Sequence, residues 1–157
     1  MRESSTMKVG VISDTHGLLR PEVLSALAGC DHILHAGDVG DAEIISRLQY
    51  IAPVTAVRGN IDRRGPCGTL PLIQIRELNG QNVYMLHEIN TLDLNPATAG
   101  FAAVVYGHSH SPAAEYRRKV LYFNPGSCGP RRFSLPVSMG FLIIRDNTIQ
   151  PELVTLL

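Results

Sequence analysis

The stretch Lys8-Val-Gly-Val-Ile-Ser13-Asp14-Thr15-His16-Gly17 opens as a short apolar run and then turns abruptly polar. Continuous hydrophobicity over so few residues reads as a strand buried on both faces, which is the pattern of a parallel sheet. Pro21 and Glu22-Val-Leu-Ser-Ala-Leu-Ala28 follow as a helix with proline in its first turn, stopped by Gly29. The unit then recurs. His32 to Ala36 reads as a second strand, Asp41 as a cap for a helix over Ala42 to Leu48, and Val54 to Val57 as a third strand. This alternation predicts a parallel sheet with crossover helices.

Beyond residue 70 the pattern becomes β-rich. Leu72 to Leu78 and Asn82 to Leu86 flank Asn79-Gly80, a pair suited to a tight hairpin turn. Ala102 to Tyr106, Ala113 to Tyr116, Val120 to Phe123, Met139 to Ile144 and Ile149 to Val154 are further predicted strands, with turns at 107–112, 124–129 and Asp146-Asn147. Two packed sheets with helices outside is the economical architecture. The expected organisation is a flexible extension over residues 1–7 and a single domain over 8–157, with Arg63 to Pro71 a loop within it.

The 157 residues carry 14 basic and 14 acidic side chains, so no global field draws the chain toward nucleic acid or an anionic membrane. Three cysteines, Cys30, Cys67 and Cys128, are widely spaced and form no CxxC pair, which argues against a disulfide framework and a thiolate metal site. The first seven residues lack the apolar centre of a signal peptide, and no apolar run is long enough to span a bilayer. A reducing, cytoplasmic setting is expected.

Polar residues gather at the predicted strand ends. Asp14 and His16 follow the first strand, Asp38 the second and Asn60 the third, and carboxyl ends of neighbouring parallel strands lie side by side. His87 follows a later apolar run, and Gly107-His108-Ser109-His110 another. If that last segment is extended, residues two apart point the same way, so His108 and His110 address one site. Four nitrogen and three oxygen ligands without sulfur suit Mn²⁺, Fe²⁺, Co²⁺ or Zn²⁺ better than Ca²⁺ or a structural zinc. Seven ligands are too many for one transition metal and right for two if Asp38 bridges them, an arrangement that can hold a shared hydroxide for attack on phosphorus.

Asp14-x-His16, Gly37-Asp38, Gly59-Asn60, His87 and Gly107-His108-Ser109-His110 together resemble, in order, the motifs of the calcineurin-like metallophosphoesterases. The match runs from about residue 8 to Gly129. Short length, Gly59-Asn-Ile-Asp62 and Asn124-Pro-Gly-Ser127 resemble the small bacterial and archaeal phosphodiesterase branch that includes the retromer subunit Vps29. The resemblance implies an α/β fold, a four-layer α-β-β-α sandwich of two packed mixed sheets flanked by helices. It also implies two divalent ions, Mn²⁺ first with Ni²⁺, Co²⁺, Fe²⁺ or Zn²⁺ as alternatives. Asp14, His16 and His110 would hold one ion, Asn60, His87 and His108 the other, and Asp38 both, with Asp38, Asn60 and His108 at the reacting centre. The implied activity is metal-dependent phosphodiester hydrolysis on a small molecule. Phosphomonoester or nucleotide hydrolysis and a non-catalytic Vps29-like scaffold are the alternatives, the last compatible with a homo-oligomer or a protein partner.

Two positions depart from the family pattern. Ile61 stands where many relatives carry a histidine able to protonate the leaving alkoxide, and Glu88 where a glycine commonly follows the fifth-motif histidine. Asp62 and His35 are expected to support the site without ligating, His32 to begin a strand, and Cys30 and Cys128 to pack, while Cys67, in the loop after the third motif, fits either a plain loop position or one facing the phosphate. Arg58, Arg63, Arg64, Arg131 and Arg132 fit either phosphate recognition or solvation. Asn124-Pro-Gly-Ser127 fits either a simple turn or a backbone cradle for phosphate.

Overall fold

A computed structural model describes residues 5–157. Of the extension expected over 1–7, residues 1–4 lie outside the described residues, and Met7 is already the first residue of the first strand. The elements run β1 (Met7–Ile12), α1 (Pro21–Leu27), β2 (His32–His35), α2 (Ala42–Gln49), β3 (Val54–Ala56), β4 (Ile73–Leu78), β5 (Gln81–Leu86), β6 (Ala103–Val105), β7 (Ala113–Arg117), β8 (Val120–Asn124), β9 (Ser138–Arg145) and β10 (Thr148–Thr155).

These strands form two mixed sheets, ordered β10-β9-β1-β2-β3 and β4-β5-β6-β8-β7. In the first sheet β1, β2 and β3 are parallel neighbours; in the second, β5, β6 and β8 are. Val9, Val11, Leu34, Val105, Leu121 and Phe123 fill the space between the sheets and are essentially buried. At roughly 1.5–3 kcal/mol for each large aliphatic side chain removed from water, this layer supplies much of the driving force for closing the sandwich.

Both helices cover the outer face of the first sheet. Val23 and Leu27 of α1, with Ile44 and Leu48 of α2, pack against Ile12 and Ile33. Asp41 caps α2 by accepting a hydrogen bond from Glu43 N at 3.0 Å, as the sequence predicts. Among the described residues, no α-helix covers the outer face of the second sheet. Tyr84, Leu86 and Val104 are covered there by a 3₁₀ turn (Ile89–Thr91) and the irregular segment through Phe101. The fourth layer is therefore built from loop side chains: Ile89, Leu92 and Phe101 bury this face without a regular helix.

The expected Asn79-Gly80 turn joins β4 to β5 with φ of 49° and 85°. The second, at Asp146-Asn147, has φ of 51° and 65°. A third turn of this kind, Arg118-Lys119 at 48° and 67°, carries no glycine or asparagine and gave no warning in the sequence.

Candidate metal centre

The parallel runs of the two sheets direct their carboxyl ends toward one crevice. β1, β2 and β3 deliver Asp14, His16, Asp38 and Asn60, while β5 and β6 deliver His87, His108 and His110. Five of these seven residues adopt left-handed φ: Asp14 at 59°, His16 at 46°, Asp38 at 56°, His108 at 75° and His110 at 62°. Aspartate and histidine tolerate this region better than bulky residues, but it still costs energy, and such strain concentrates where a chain must aim side chains.

Three of these side chains, Asp14, Asp38 and His87, are held by one atom and present another. Asp14 Oδ2 accepts from Ser13 Oγ at 2.7 Å and from His108 N at 3.2 Å, while the buried Asp14 Oδ1 has no hydrogen-bond partner among the described residues. His87 Nδ1 donates to Ala36 O at 2.7 Å, which leaves Nε2 facing the crevice. Asp38 Oδ1 accepts from Ile61 N at 3.0 Å, and Oδ2 lies 3.2 Å from His87 Nε2 and 3.4 Å from His16 Nε2. His16 Nε2 and His110 Nδ1 are likewise buried without partners. Asp14 Oδ1 and His16 Nε2 stand 3.7 Å apart, with His110 Nε2 3.3 Å from the same oxygen; buried polar atoms without hydrogen bonds are unfavourable in a protein interior, and a cation among these three removes the conflict.

Two groups of donors emerge. Asp14, His16 and His110 form one, Asp38, His87 and His108 the other, with the ligand atoms of each group within 4.8 Å of one another. Asn60 Oδ1 joins the second group, 3.0 Å from His87 Nε2 and 3.1 Å from His108 Nδ1. Rotating that amide by 180° would aim its N–H groups at the same nitrogens and at Asp38. A bound cation favours the first orientation and a metal-free site the second.

His108 and His110 both reach the crevice but not by the expected route. The segment is curled, with both residues at positive φ and Ser109 N donating to Gly107 O at 2.9 Å. The two rings thereby reach different groups, His110 beside Asp14 and His16 and His108 beside Asp38 and His87.

Charge is concentrated and largely shielded from water. Burial alone would raise the Asp14 carboxyl, but contacts with His110, His16 and Ser13 hold it well below the usual carboxylate range. Burial opposes ionisation of Asp38 too, and His87 with the Ile61 N–H overcomes it, so its pKa is lowered. For His87, burial favours the neutral ring, and Asp38 with Asp14 more than offsets this, raising its pKa.

The support around the crevice was only partly foreseen. Asp62 accepts three backbone N–H bonds, from Val39 at 3.1 Å, Gly40 at 3.0 Å and Gly59 at 3.0 Å, tying the Asp38 loop to the Asn60 loop. Gly59 sits so close that an added Cβ would fall 2.1 Å from Asp38 Oδ1. His35 bridges Thr15 and Gly37, as a supporting residue should. His32 begins β2 and pairs with Thr55 Oγ1 at 2.8 Å.

Asn124-Pro-Gly-Ser127 is a buried brace. Asn124 Nδ2 donates to Ser109 Oγ at 3.0 Å, Asn124 Oδ1 accepts from Gly126 N, and Ser127 Oγ donates to Asp14 O at 3.1 Å. Ser13 was missed by the sequence reading; a hydroxyl directly before the first-motif aspartate is the one signal that could have marked it. The three cysteines are buried and unpaired. Cys67 packs with the helix layer.

At the two departures, Ile61 is 42% exposed at the rim and offers only its backbone N–H. Glu88 has an ordinary extended backbone, φ −109°, so the usual glycine is not required, and its carboxylate lies 3.8 Å from His108 Nδ1. Arg131 and Arg132 line a cleft of about 170 Å³ against His16 and His110. Arg58 lines another on the opposite side, while the Arg63 guanidinium bonds to Asn60 O at the surface. Among the described residues no helix is long and apolar enough to cross a membrane.

Residues 7–147 match the calcineurin-like phosphoesterase superfamily domain. A probable metallophosphoesterase of Methanocaldococcus jannaschii is 36% identical over 135 residues, covering 78% of this chain and 68% of the relative. Phosphodiesterase YfcE of Escherichia coli is 32% identical over 169 residues, covering 91% and 89%. The structure of vacuolar protein sorting 29 from Cryptosporidium parvum superposes with a TM-score of 0.76 over 95% of this chain and 97% of that one, and at 18% identity this likeness concerns the fold alone. The chain accordingly belongs to the calcineurin-like phosphoesterase superfamily and is a metal-dependent phosphoesterase.

Proposed function

We propose that the chain hydrolyses small phosphodiesters at two divalent ions, Mn²⁺ foremost, with Asp14, His16 and His110 around one position, Asn60, His87 and His108 around the other, and Asp38 shared. The observation that carries this reading is the convergence of carboxylate and imidazole ligand atoms in two tight groups, with Asp14 Oδ1 and His16 Nε2 both buried and without a hydrogen bond among the described residues. An all-nitrogen-and-oxygen donor set suits Mn²⁺ and its neighbours.

Bound there, the ions would supply Lewis acidity at a phosphoryl oxygen and a hydroxide nucleophile at neutral pH. The chain's own residues set the conditions for that chemistry. Asp14 and Asp38 remain ionised and attract cations; Ser13, Ala36 and Ile61 fix which atom of each neighbouring ligand faces inward. Arg131 and Arg132 stand beside the His16–His110 side, where guanidinium groups would draw a phosphate anion into place. Ile61 cannot protonate a leaving alkoxide, which favours substrates whose leaving group needs little help. The buried, unpaired cysteines suit a reducing cytoplasm.

The test is hydrolysis of bis(p-nitrophenyl) phosphate and p-nitrophenyl phosphate by metal-stripped protein, with Mn²⁺, Ni²⁺, Co²⁺, Zn²⁺ or Mg²⁺ restored. Diester cleavage should exceed monoester cleavage, and Asp38→Ala or His108→Ala should lower kcat by about 10²-fold or more. Preference for the monoester would favour a monoesterase or nucleotidase. Inactivity of folded, metal-loaded protein toward both would favour the scaffold reading.

A further inference from the structure

We infer that the cleft bounded by Arg58, Asn60, Leu72, Ile73, His87 and Glu88 is a substrate subsite for an uncharged planar ring bearing N–H donors, such as a nucleobase, carried on the phosphate ester. The inference rests on the proposed reading of the neighbouring crevice as the place where phosphorus binds. The cleft holds about 320 Å³, the lower end of the roughly 300–1,000 Å³ typical of small-molecule sites, which suits one arm of a small ester and not a polymer.

Its position couples it to the reaction. Asn60 and His87 form part of its wall and also belong to the ligand cluster, so a group seated here lies next to the crevice where phosphorus would bind. Its chemistry is mixed in a particular way. Leu72 and Ile73 are 59% and 45% exposed, apolar side chains held open to water at the start of β4. They offer flat contact to a ring. Arg58 is half-buried and fixed in place, its guanidinium donating through Nη1 to Gly68 O at 3.0 Å; a planar cation so held can stack on a ring face. The Glu88 carboxylate lies 3.8 Å from His108 Nδ1, beyond hydrogen-bond reach, and is thus able to accept from ring N–H groups. The same carboxylate disfavours a second anionic group in this cleft. Anionic character is better accommodated across the crevice, beside Arg131 and Arg132.

Glu88 gains a purpose from this arrangement. The family glycine would leave the cleft without its acceptor, and the extended backbone at 88 admits a side chain at no conformational cost.

Calorimetry on Mn²⁺-loaded protein tests the subsite with guanosine 5′-monophosphate, glycerol 3-phosphate and inorganic phosphate, which share the phosphate and differ in the arm. The nucleotide should bind about tenfold more tightly than glycerol phosphate, the scale of filling one small apolar pocket. Leu72→Ser combined with Ile73→Ser should bring the two within about twofold while leaving glycerol phosphate affinity unchanged, which also shows that the variant is folded. Glu88→Gln should reduce the nucleotide preference about threefold or more. Equal affinities in the unaltered protein, absence of binding by both organic phosphates, or a preference that survives the double substitution would overturn the subsite. Hydrolysis of bis(p-nitrophenyl) phosphate is measured on the same preparations: a nucleotide preference without diester cleavage would retain the subsite and remove the diesterase reading.

Discussion

His35 is wholly buried, and both of its ring nitrogens are committed. Gly37 N–H donates to Nδ1 at 3.1 Å, and because Thr15 Oγ1 spends its proton on Val39 O, it must accept from Nε2–H at 3.0 Å. Only the neutral Nε2–H tautomer satisfies this arrangement. Burial, more than any nearby charge, lowers its pKa from 6.5 to about 4. The unfolded chain therefore binds the extra proton between those values while the folded protein does not. His35 thus contributes stability in full above pH 6.5, and the contribution is lost as pH falls toward 4, about 3 kcal/mol in all. Urea unfolding of metal-free protein across this window should show a shallower rise of stability with pH in His35→Gln than in the parent; equal slopes would mean that His35 does not titrate as described. The sequence placed His35 in support of the site, but the tautomer depends on Thr15 and Val39, which only folding brings to it.

At the scale of elements, the turns are the least legible part of the chain. Asn79-Gly80 and Asp146-Asn147 announce themselves because asparagine, aspartate and glycine accept left-handed φ. Arg118-Lys119 holds the same geometry at 48° and 67° with residues that resist it, so the register of β7 with β8 must impose it. Replacing Arg118-Lys119 with Asn-Gly should stabilise the protein by about 1–2 kcal/mol, read as a rise in the urea midpoint at unchanged slope. Unchanged or lower stability would show that Arg117 and its neighbours depend on the native pair. At Gly107–His110 a turn is expected over 107–112, but its particular curl is set where Asn124 braces Gly107 O and Ser109 Oγ. A brace fourteen or more residues downstream leaves no mark in local periodicity.

For the whole molecule, the site is also a liability to stability. Two buried carboxylates, Asp14 and Asp38, are held ionised in one crevice beside acceptors without partners. A divalent ion binds only the folded arrangement, so it should raise Tm by about 5–10 °C at an excess near 100 Kd. Differential scanning calorimetry with chelator and then with Mn²⁺ checks this, and an unchanged Tm would argue against a metal at these residues. Because Asp38 and Asp14 raise the pKa of His87, a metal must displace a proton held more firmly than usual. Apparent metal affinity should therefore fall as pH is lowered, with proton release on binding detectable by calorimetry in buffers of different ionisation enthalpy.

By itself the sequence determined the two-sheet architecture, the order of the strands along the chain, the Asp41 cap and the residues that gather at the strand ends. Each is encoded locally, by hydrophobic period, capping chemistry and turn composition, or by motifs whose residue types follow strand by strand. Tertiary structure alone decided how those residues are aimed. It replaced the outer helix of the second sheet with a 3₁₀ turn and loop side chains, and it set the curl of residues 107–110 that carries His108 and His110 into the crevice. It also made Asp62 the tie between two loops and opened the Leu72–Glu88 cleft beside the crevice. The reason is common to all of these: each depends on groups distant in sequence, whose positions are fixed by packing of one sheet against the other and not by the preferences of neighbouring residues.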